Sequence, residues 1–311
     1  MKLYKREIMG THLGLICITA SDAVRYRTVT RKRLLQFSPA QQAAMLRELY
    51  GDNLRRLDKA LDFCAAEGIR LYRMSANLFP FADDVIGESI LTELSSELAA
   101  AGEKSQDLGI RLTLHPEQFV VLSSDRPEVI ENSIKILATH ARMLDMMGLP
   151  RSTYALMNIH GGKGDRSWRL IETINSLPDE IRLRLTLEND EYAYGAEDIL
   201  HVCRETGVAM VFDAHHHVIH DKLDSYDDPS VEKMVIEARS TWTDPDLQLV
   251  HISNGKSGFL DPQHSDYITR MPKAFWQVPW VDIEAKHKEK AIAKIYSELQ
   301  NTANSIVNSQ K

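Results

Sequence analysis

The sequence predicts a single α/β domain folded as a closed (β/α)8 TIM barrel. Three observations point there. Short β-branched apolar runs alternate with longer stretches of helical period along the whole chain. Eight such runs can be counted, the number that closes a barrel of this kind. No glycine-rich GxGxxG turn follows the first run, as an open, doubly wound nucleotide-binding sheet would carry.

Taken in order, the first strand is read over 12–18. After a loop, Ser38 and Pro39 open a helix, a capping hydroxyl followed by proline at the first helical position, and Gly68 closes it. Strands at 69–76, 110–115, 154–160 and 183–188 follow, with helical stretches at 88–106, 128–147 and 167–176 between them. The last strands are read at 209–213, 247–253 and 280–286, with helices at 196–206 and 229–241 and a final helix reaching about 299. Between the last two strands, 254–279 carries Gly255, Gly258, Pro262, Pro272 and Pro279, enough breakers to leave room for one short helix at most. That segment is expected to be an active-site loop. No linker or low-complexity stretch divides the chain, so 1–311 is read as one domain with 1–11 and 300–311 as peripheral tails.

Composition excludes several classes. Hydrophobic residues make up 43% and charged residues 26%, close to ordinary globular usage, which argues against disorder, collagen and coiled coil. The net charge of −7 disfavours polyanion binding over the whole surface and leaves room for a local basic patch. No run of 18 apolar residues occurs and the start lacks the apolar core of a signal peptide, so a cytoplasmic protein is expected. Cys17, Cys64 and Cys203 form no CxxC pair and fit reduced thiols.

In such barrels the reacting groups stand at the C-terminal ends of the strands. Here the third strand ends in His115, the fourth in His160, the fifth in Glu188 and the sixth in Asp213, with His215, His216 and His217 beyond it. The seventh delivers His251 and the eighth Glu284. A histidine at one strand end is usually structural, whereas imidazoles and carboxylates converging on one rim are the ligand types of zinc, manganese or iron. Three carboxylates and at least four histidines exceed what one ion needs. A bridging carboxylate such as Glu188 would allow a cluster of two or three ions, and such clusters serve the hydrolysis of phosphate esters. His264 lies in the proline-rich loop, where ligand and ordinary loop residue are equally open readings.

Other residues suggest what the rim faces. Lys286 follows Glu284 by two positions, so on a strand it would share its side and could neutralise a phosphate or pair with a carboxylate. Arg25, Arg27, Arg31, Lys32 and Arg33 form the strongest basic run in an acidic chain, suited to phosphate-backbone contact or simply to a solvated loop. Gln118 and Phe119 lie on a rim loop beside His115, placed either to wedge into a base stack or to cap the barrel. Arg73 adds a guanidinium at the second strand end, for DNA or for a carboxylate.

Several segments together carry a family resemblance. They are Leu71-Tyr72-Arg73-Met74-Ser75, His115-Pro116-Glu117-Gln118-Phe119, Asn158-Ile159-His160-Gly161-Gly162, Leu187-Glu188-Asn189-Asp190, Phe212-Asp213-Ala214-His215-His216, His264-Ser265-Asp266-Tyr267 and Ile283-Glu284-Ala285-Lys286. With these in order, nearly the whole chain resembles the UV damage endonucleases, relatives of endonuclease IV and of the xylose-isomerase-like barrels. The resemblance implies a divalent metal cluster of two or three ions, manganese first and zinc or magnesium as alternatives. It also implies a nick in duplex DNA immediately 5′ of cyclobutane pyrimidine dimers and (6-4) photoproducts, leaving a 3′-hydroxyl and a 5′-phosphate. The implied ligands are His115, His160, Glu188, Asp213, His216, His251, His264 and Glu284, with Glu188 and Lys286 in catalysis. Gln118 and Phe119, with Arg25, Arg27, Arg31 and Arg73, would contact DNA and the lesion, and the protein would work as a monomer, without a protein or membrane partner, at the nucleoid. The chain departs from the family pattern at Phe119, where some members carry tyrosine, at Leu249, where some carry lysine, and at Leu15, where an aromatic is sometimes found. The competing readings are an apurinic endonuclease of the endonuclease IV type, a sugar isomerase on a similar barrel, and a protein that binds damaged DNA or metal without cutting.

Overall fold

A computed structural model of the protein describes residues 10–309, with the side chains of 300–309 excepted. Eight strands close into a fully parallel barrel in sequence order. They are β1 (His12–Ile16), β2 (Leu71–Met74), β3 (Arg111–Leu114), β4 (Met157–His160), β5 (Leu185–Glu188), β6 (Ala209–Asp213), β7 (Leu249–Ile252) and β8 (Trp280–Ile283). β8 pairs with β1 through Leu13 and Val281, which completes the ring.

Most strands are shorter than the apolar runs that announced them. β1 stops at Ile16, and Cys17 takes a left-handed backbone with φ 58°. The runs at 154–160 and 247–253 begin with 3-10 turns, Thr153–Ala155 and Pro245–Leu247, before pairing starts. β8 ends at Ile283, so Glu284 and Lys286 lie beyond it.

The helices follow local chemistry. Helix Pro39–Glu67 opens with a reciprocal box between Ser38 and Gln41 and ends at Gly68, whose φ of 68° suits a residue without Cβ. The stretch expected at 88–106 divides at Leu94 into Val85–Glu93 and Ser95–Asp107. Pro127–Met146, Ser167–Ser176, Ala196–Thr206 and Pro229–Arg239 form where the helical period places them. The basic run holds a short helix, Arg31–Leu34, and two further short helices, Asp179–Arg182 and Ala214–His220, carry no sequence signal. The last helix, Lys288–Ser309, runs through most of the expected C-terminal tail, while most of the N-terminal one (1–9) and residues 310–311 lie outside the described residues.

Two packing regions result. The larger core lies between strands and helices, around residues such as Leu13, Leu112, Ile159, Leu187, Met210 and Val250. The smaller fills the lower barrel with Leu71, Leu156, Ala209, Val211 and Leu249. Alternate strand residues face the axis, so the inward positions above that plug are polar: Asn158 and Thr186 on neighbouring strands hydrogen-bond at 2.9 Å. Arg111 seals the bottom, donating to the carbonyls of Thr153, Tyr154 and Leu247 at 2.7, 2.9 and 3.0 Å. Gly14 makes room inside the barrel, because a Cβ there would stand 2.3 Å from Asp282 Oδ1.

Candidate metal centre

The strand ends deliver their side chains to the floor of a cleft of about 820 Å³. Two groups there have the spacing of a metal site: His115, His160 and Glu188, and Glu188, Asp213 and His216, with the offered atoms of each group within 4.8 Å of one another. Glu188 belongs to both. One of its oxygens lies 3.3 Å from His115 Nε2 and 3.1 Å from His251 Nδ1, and the other 3.4 Å from His216 Nδ1. Glu284 extends the set, with Oε1 3.5 Å from His251 Nδ1 and Oε2 3.7 Å from His264 Nε2. All eight side chains expected as ligands therefore stand around one floor.

Neighbours orient these groups. His115 Nδ1 lies 3.0 Å from the Pro116 carbonyl, which fixes a proton on Nδ1 and leaves Nε2 as the lone-pair nitrogen. His216 Nδ1 lies 2.9 Å from the Asn189 carbonyl. Asp213 caps its own short helix by accepting from the His216 backbone N–H at 2.8 Å. Asn158 Nδ2 donates to Glu188, which is 1% exposed. The His264 loop is anchored by buried Asn254, whose Oδ1 accepts from the backbone N–H of Thr269 at 2.7 Å and of Arg270 at 3.0 Å.

Charge is concentrated and unevenly matched. Glu188, Asp213, Asp282 and Glu284 are all buried, and Arg73 is the guanidinium among them, 2.6 Å from Glu284 Oε1 and 3.5 Å from Asp282 Oδ2. Burial pushes His216 down, but Asp213 and Glu188 outweigh it and hold it well above its ordinary value. Burial opposes the charge on His251 too, yet Glu188 and Asp282 raise it to about 10. His160 is lowered by burial, Asp213 is raised by burial, and Glu188 is held well below the carboxylate range by His251 and His160 against its own desolvation. Protons on imidazoles thus balance carboxylates that no fixed cation matches.

The donor set fits divalent metals. His160 Nδ1 and Asp213 Oδ2 are buried yet make no hydrogen bond, and the ring nitrogens of His251 have carboxylates beside them, Glu188 at 3.1 Å and Asp282 at 3.3 Å. Buried polar atoms normally find partners, and these aim at one floor. His115, His160, Glu188, Asp213 and His216 would hold one pair of ions, and His251, His264 and Glu284 would complete the cluster.

Other expected residues are placed differently. Gln118 and Phe119 line the cleft mouth, with Phe119 57% exposed. Arg73 also lines the cleft, but its guanidinium is committed to Glu284 and Asp282. Arg25 turns back onto the carbonyls of Thr19 and Val24 and pairs with Asp22, Arg27 pairs with Glu48, and Arg31 pairs with Asp84. Lys286 is exposed and outside the cleft lining, because the strand on which it would have followed Glu284 has already ended. Asp282 escaped notice although it stands two residues before Glu284, on the same side by the same alternation. Cys17, Tyr192 and Glu191 also line the cleft, supplied by loops without a periodic signal. Half-buried Lys288 has Cys17, Arg73, Glu284 and Asp282 as its electrostatic neighbours.

Comparison with known proteins gives consistent matches. The family model described as UV-endonuclease UvdE matches residues 11–310. A UV DNA damage endonuclease from Nostoc sp. is 56% identical over 94% of this chain and 91% of its own. One from Deinococcus radiodurans is 50% identical over 91% of this chain and 94% of its own. The crystal structure of SacUVDE superposes with a TM-score of 0.75 at 25% identity, covering 94% of this chain and 99% of that one. A D-psicose 3-epimerase from Clostridium cellulolyticum H10, with a TM-score of 0.54 at 11% identity, covers 91% and 89% and shares the fold alone.

Proposed function

The chain belongs to the UV-endonuclease UvdE family, and from that premise we propose that it cuts duplex DNA immediately 5′ of UV photoproducts, cyclobutane pyrimidine dimers and (6-4) photoproducts. The products would be a 3′-hydroxyl and a 5′-phosphate. What carries the reading is one carboxylate, Glu188, common to two metal-spaced groups on the floor of a cleft whose mouth holds Gln118 and Phe119. A bound divalent cluster supplies a water of lowered pKa and positive charge for the phosphate oxygens. The metal is proposed to be manganese.

The chain's own residues do the rest. Glu188 holds the two halves of the site together from a position set by Asn158. Arg73 fixes Glu284 by its Oε1 and leaves Oε2 facing His264. Phe119 offers an exposed ring to a base stack, and Gln118 an amide to the edges of bases that the ring displaces. No helix among the described residues is long and apolar enough to cross a membrane, and the proposal places the enzyme in the cytoplasm as a monomer acting on damaged DNA.

The test is incision of an end-labelled duplex containing one cyclobutane dimer, beside undamaged and abasic duplexes, in manganese and in EDTA. A metal-dependent nick directly 5′ of the dimer, absent from undamaged DNA, is expected. Cutting confined to the abasic duplex would assign an apurinic endonuclease instead, and no cutting of any duplex would refute the nuclease reading.

A further inference from the structure

The exposed aromatic side chains among the described residues are Phe119, Trp168 and Tyr192, at 57%, 58% and 73% exposure. They follow β3, β4 and β5, three consecutive strands, so they share one sector of the barrel rim. Large apolar rings normally leave water, and three on one sector mark a contact surface.

A cation cluster lies in the same sector. Lys163, Arg166 and Arg169 all contact Asp125, Arg166 Nε at 2.8 Å and Arg169 Nη1 at 3.1 Å. Exposed Asp165 also acts on Arg166, and against Asp125 and Asp165 the three cations leave one positive charge. Arg169 also stands over the Trp168 ring, 4.8 Å from its centroid. The mount is firm: Ser123 Oγ accepts from the Lys163 N–H at 2.7 Å, and Tyr194 donates its hydroxyl proton to the Lys163 carbonyl at 2.8 Å. The surface is continuous with the metal cleft, whose lining includes Gly162 and Tyr192.

Resting on the proposed DNA-cutting function, we propose that Lys163, Arg166, Arg169, Trp168 and Tyr192 form a docking edge for the DNA backbone beside the metal cleft. Guanidinium and ammonium groups take phosphate oxygens without reading sequence, and the rings pack on the sugars and bases beside them.

Affinity for an undamaged duplex, measured by fluorescence anisotropy from 50 to 200 mM salt, tests this directly. Each lost phosphate contact flattens the plot of log affinity against log salt by about 0.9. The variant Lys163→Ala, Arg166→Ala, Arg169→Ala is expected to flatten it by about 2.7, so that over this range it loses about 40-fold less affinity than the unchanged protein. Asp125→Asn, which removes an acid and keeps the cations, is expected to tighten binding at 50 mM salt several-fold, a change that misfolding cannot produce. In incision the triple variant's loss should fall on KM rather than kcat, with unchanged metal content. An unchanged slope in a triple variant that melts normally, or weaker binding by Asp125→Asn, would overturn the docking edge. Failure of the unchanged protein to nick a dimer-containing duplex would instead overturn the proposed function, and the two outcomes are separable.

Discussion

Glu188→Gln keeps the side-chain volume and removes one charge from a site where it meets three imidazoles. Its nearest, His251 Nδ1, is 3.1 Å away. Two unit charges at that distance attract by about 5 kcal/mol at an effective dielectric of about 20. The expected loss is smaller, and its upper bound is the cost of the His251 proton, which Asp282 at 3.3 Å and Glu284 at 3.5 Å still help to hold once Glu188 is neutral. With His251 held at about 10, pH 7 lies three pH units below it, and giving up that proton costs about 4 kcal/mol. This falls in the range for breaking one buried pair, about 3–5 kcal/mol. At roughly 2 °C per kcal/mol for a chain of this size, the metal-free variant should melt at most about 8 °C below the metal-free parent at pH 7.

The sign of the pH dependence follows from the direction of the shifts. His216 and His251 are raised, so their stabilisation is fully present below the ordinary 6.5 and fades as pH climbs, for His251 through about 10. Glu188 is lowered, so its share is present above 4.5 and disappears only as pH falls well below that. The gap between parent and variant is therefore widest from about 4.5 to 6.5 and closes toward 10. Thermal melts in EDTA from pH 5 to 10, followed by metal content after reconstitution, measure both halves of the claim. Equal melting temperatures across that range would refute the pairing, and a variant that retains a full metal load and cuts normally would refute the shared ligand.

Chelation should abolish incision and manganese restore it, with zinc and magnesium as comparators. Metal affinity should rise with pH from 6 to 9, because His216 and His251 must lose protons before they can ligate, and titration calorimetry in buffers of different ionisation enthalpy would count those protons. Phe119→Ala should change stability by less than about 0.5 kcal/mol, since its ring is 57% exposed, while lowering dimer incision at least about tenfold; single-turnover assays on dimer and undamaged duplexes would show it. Asn254→Ala should cost about 2–4 kcal/mol, because Ser253, Thr269 and Arg270 lose buried backbone partners together, and should weaken metal retention through His264; denaturant melts and metal content after dialysis would report the two effects.

The barrel and the convergence of these side chains on its rim were legible because both depend on short-range pattern. Strand period and the placement of loops after strand ends put His115, His160, Glu188 and Asp213 on one floor without any knowledge of tertiary contacts. The triple histidine was harder, since a helix turns about 100° per residue and sends three adjacent rings three ways. His216 faces Glu188, His215 joins Tyr226 and the Asp261 carbonyl, and His217 reaches Ser230. Lys286 was misplaced because alternation was extended past a strand that stops at Ile283. The fate of the basic run was hidden for a different reason: Glu48 and Asp84, which hold Arg27 and Arg31, are distant in sequence. The cluster of Lys163, Arg166 and Arg169 was overlooked because its cations are interspersed rather than adjacent, and Asp125, which gathers them, lies almost forty residues earlier.

The charge balance of the floor explains how a chain of net charge −7 can attract a phosphodiester. Glu188, Asp213, Asp282 and Glu284, with Glu191 3.7 Å from His216 Nε2, outnumber the fixed cations Arg73 and Lys288 before any histidine is protonated. Protons on His216 and His251 offset only part of that excess, and what is left repels a phosphate. Divalent ions held by these residues would replace those protons and supply positive charge for a phosphodiester. The same buried carboxylates that raise the histidines in the metal-free protein would thus be what hold the cations of the proposed site. The proposed docking edge at Lys163, Arg166 and Arg169 would then need only to position the duplex, the attraction at the point of cutting being left to the metals.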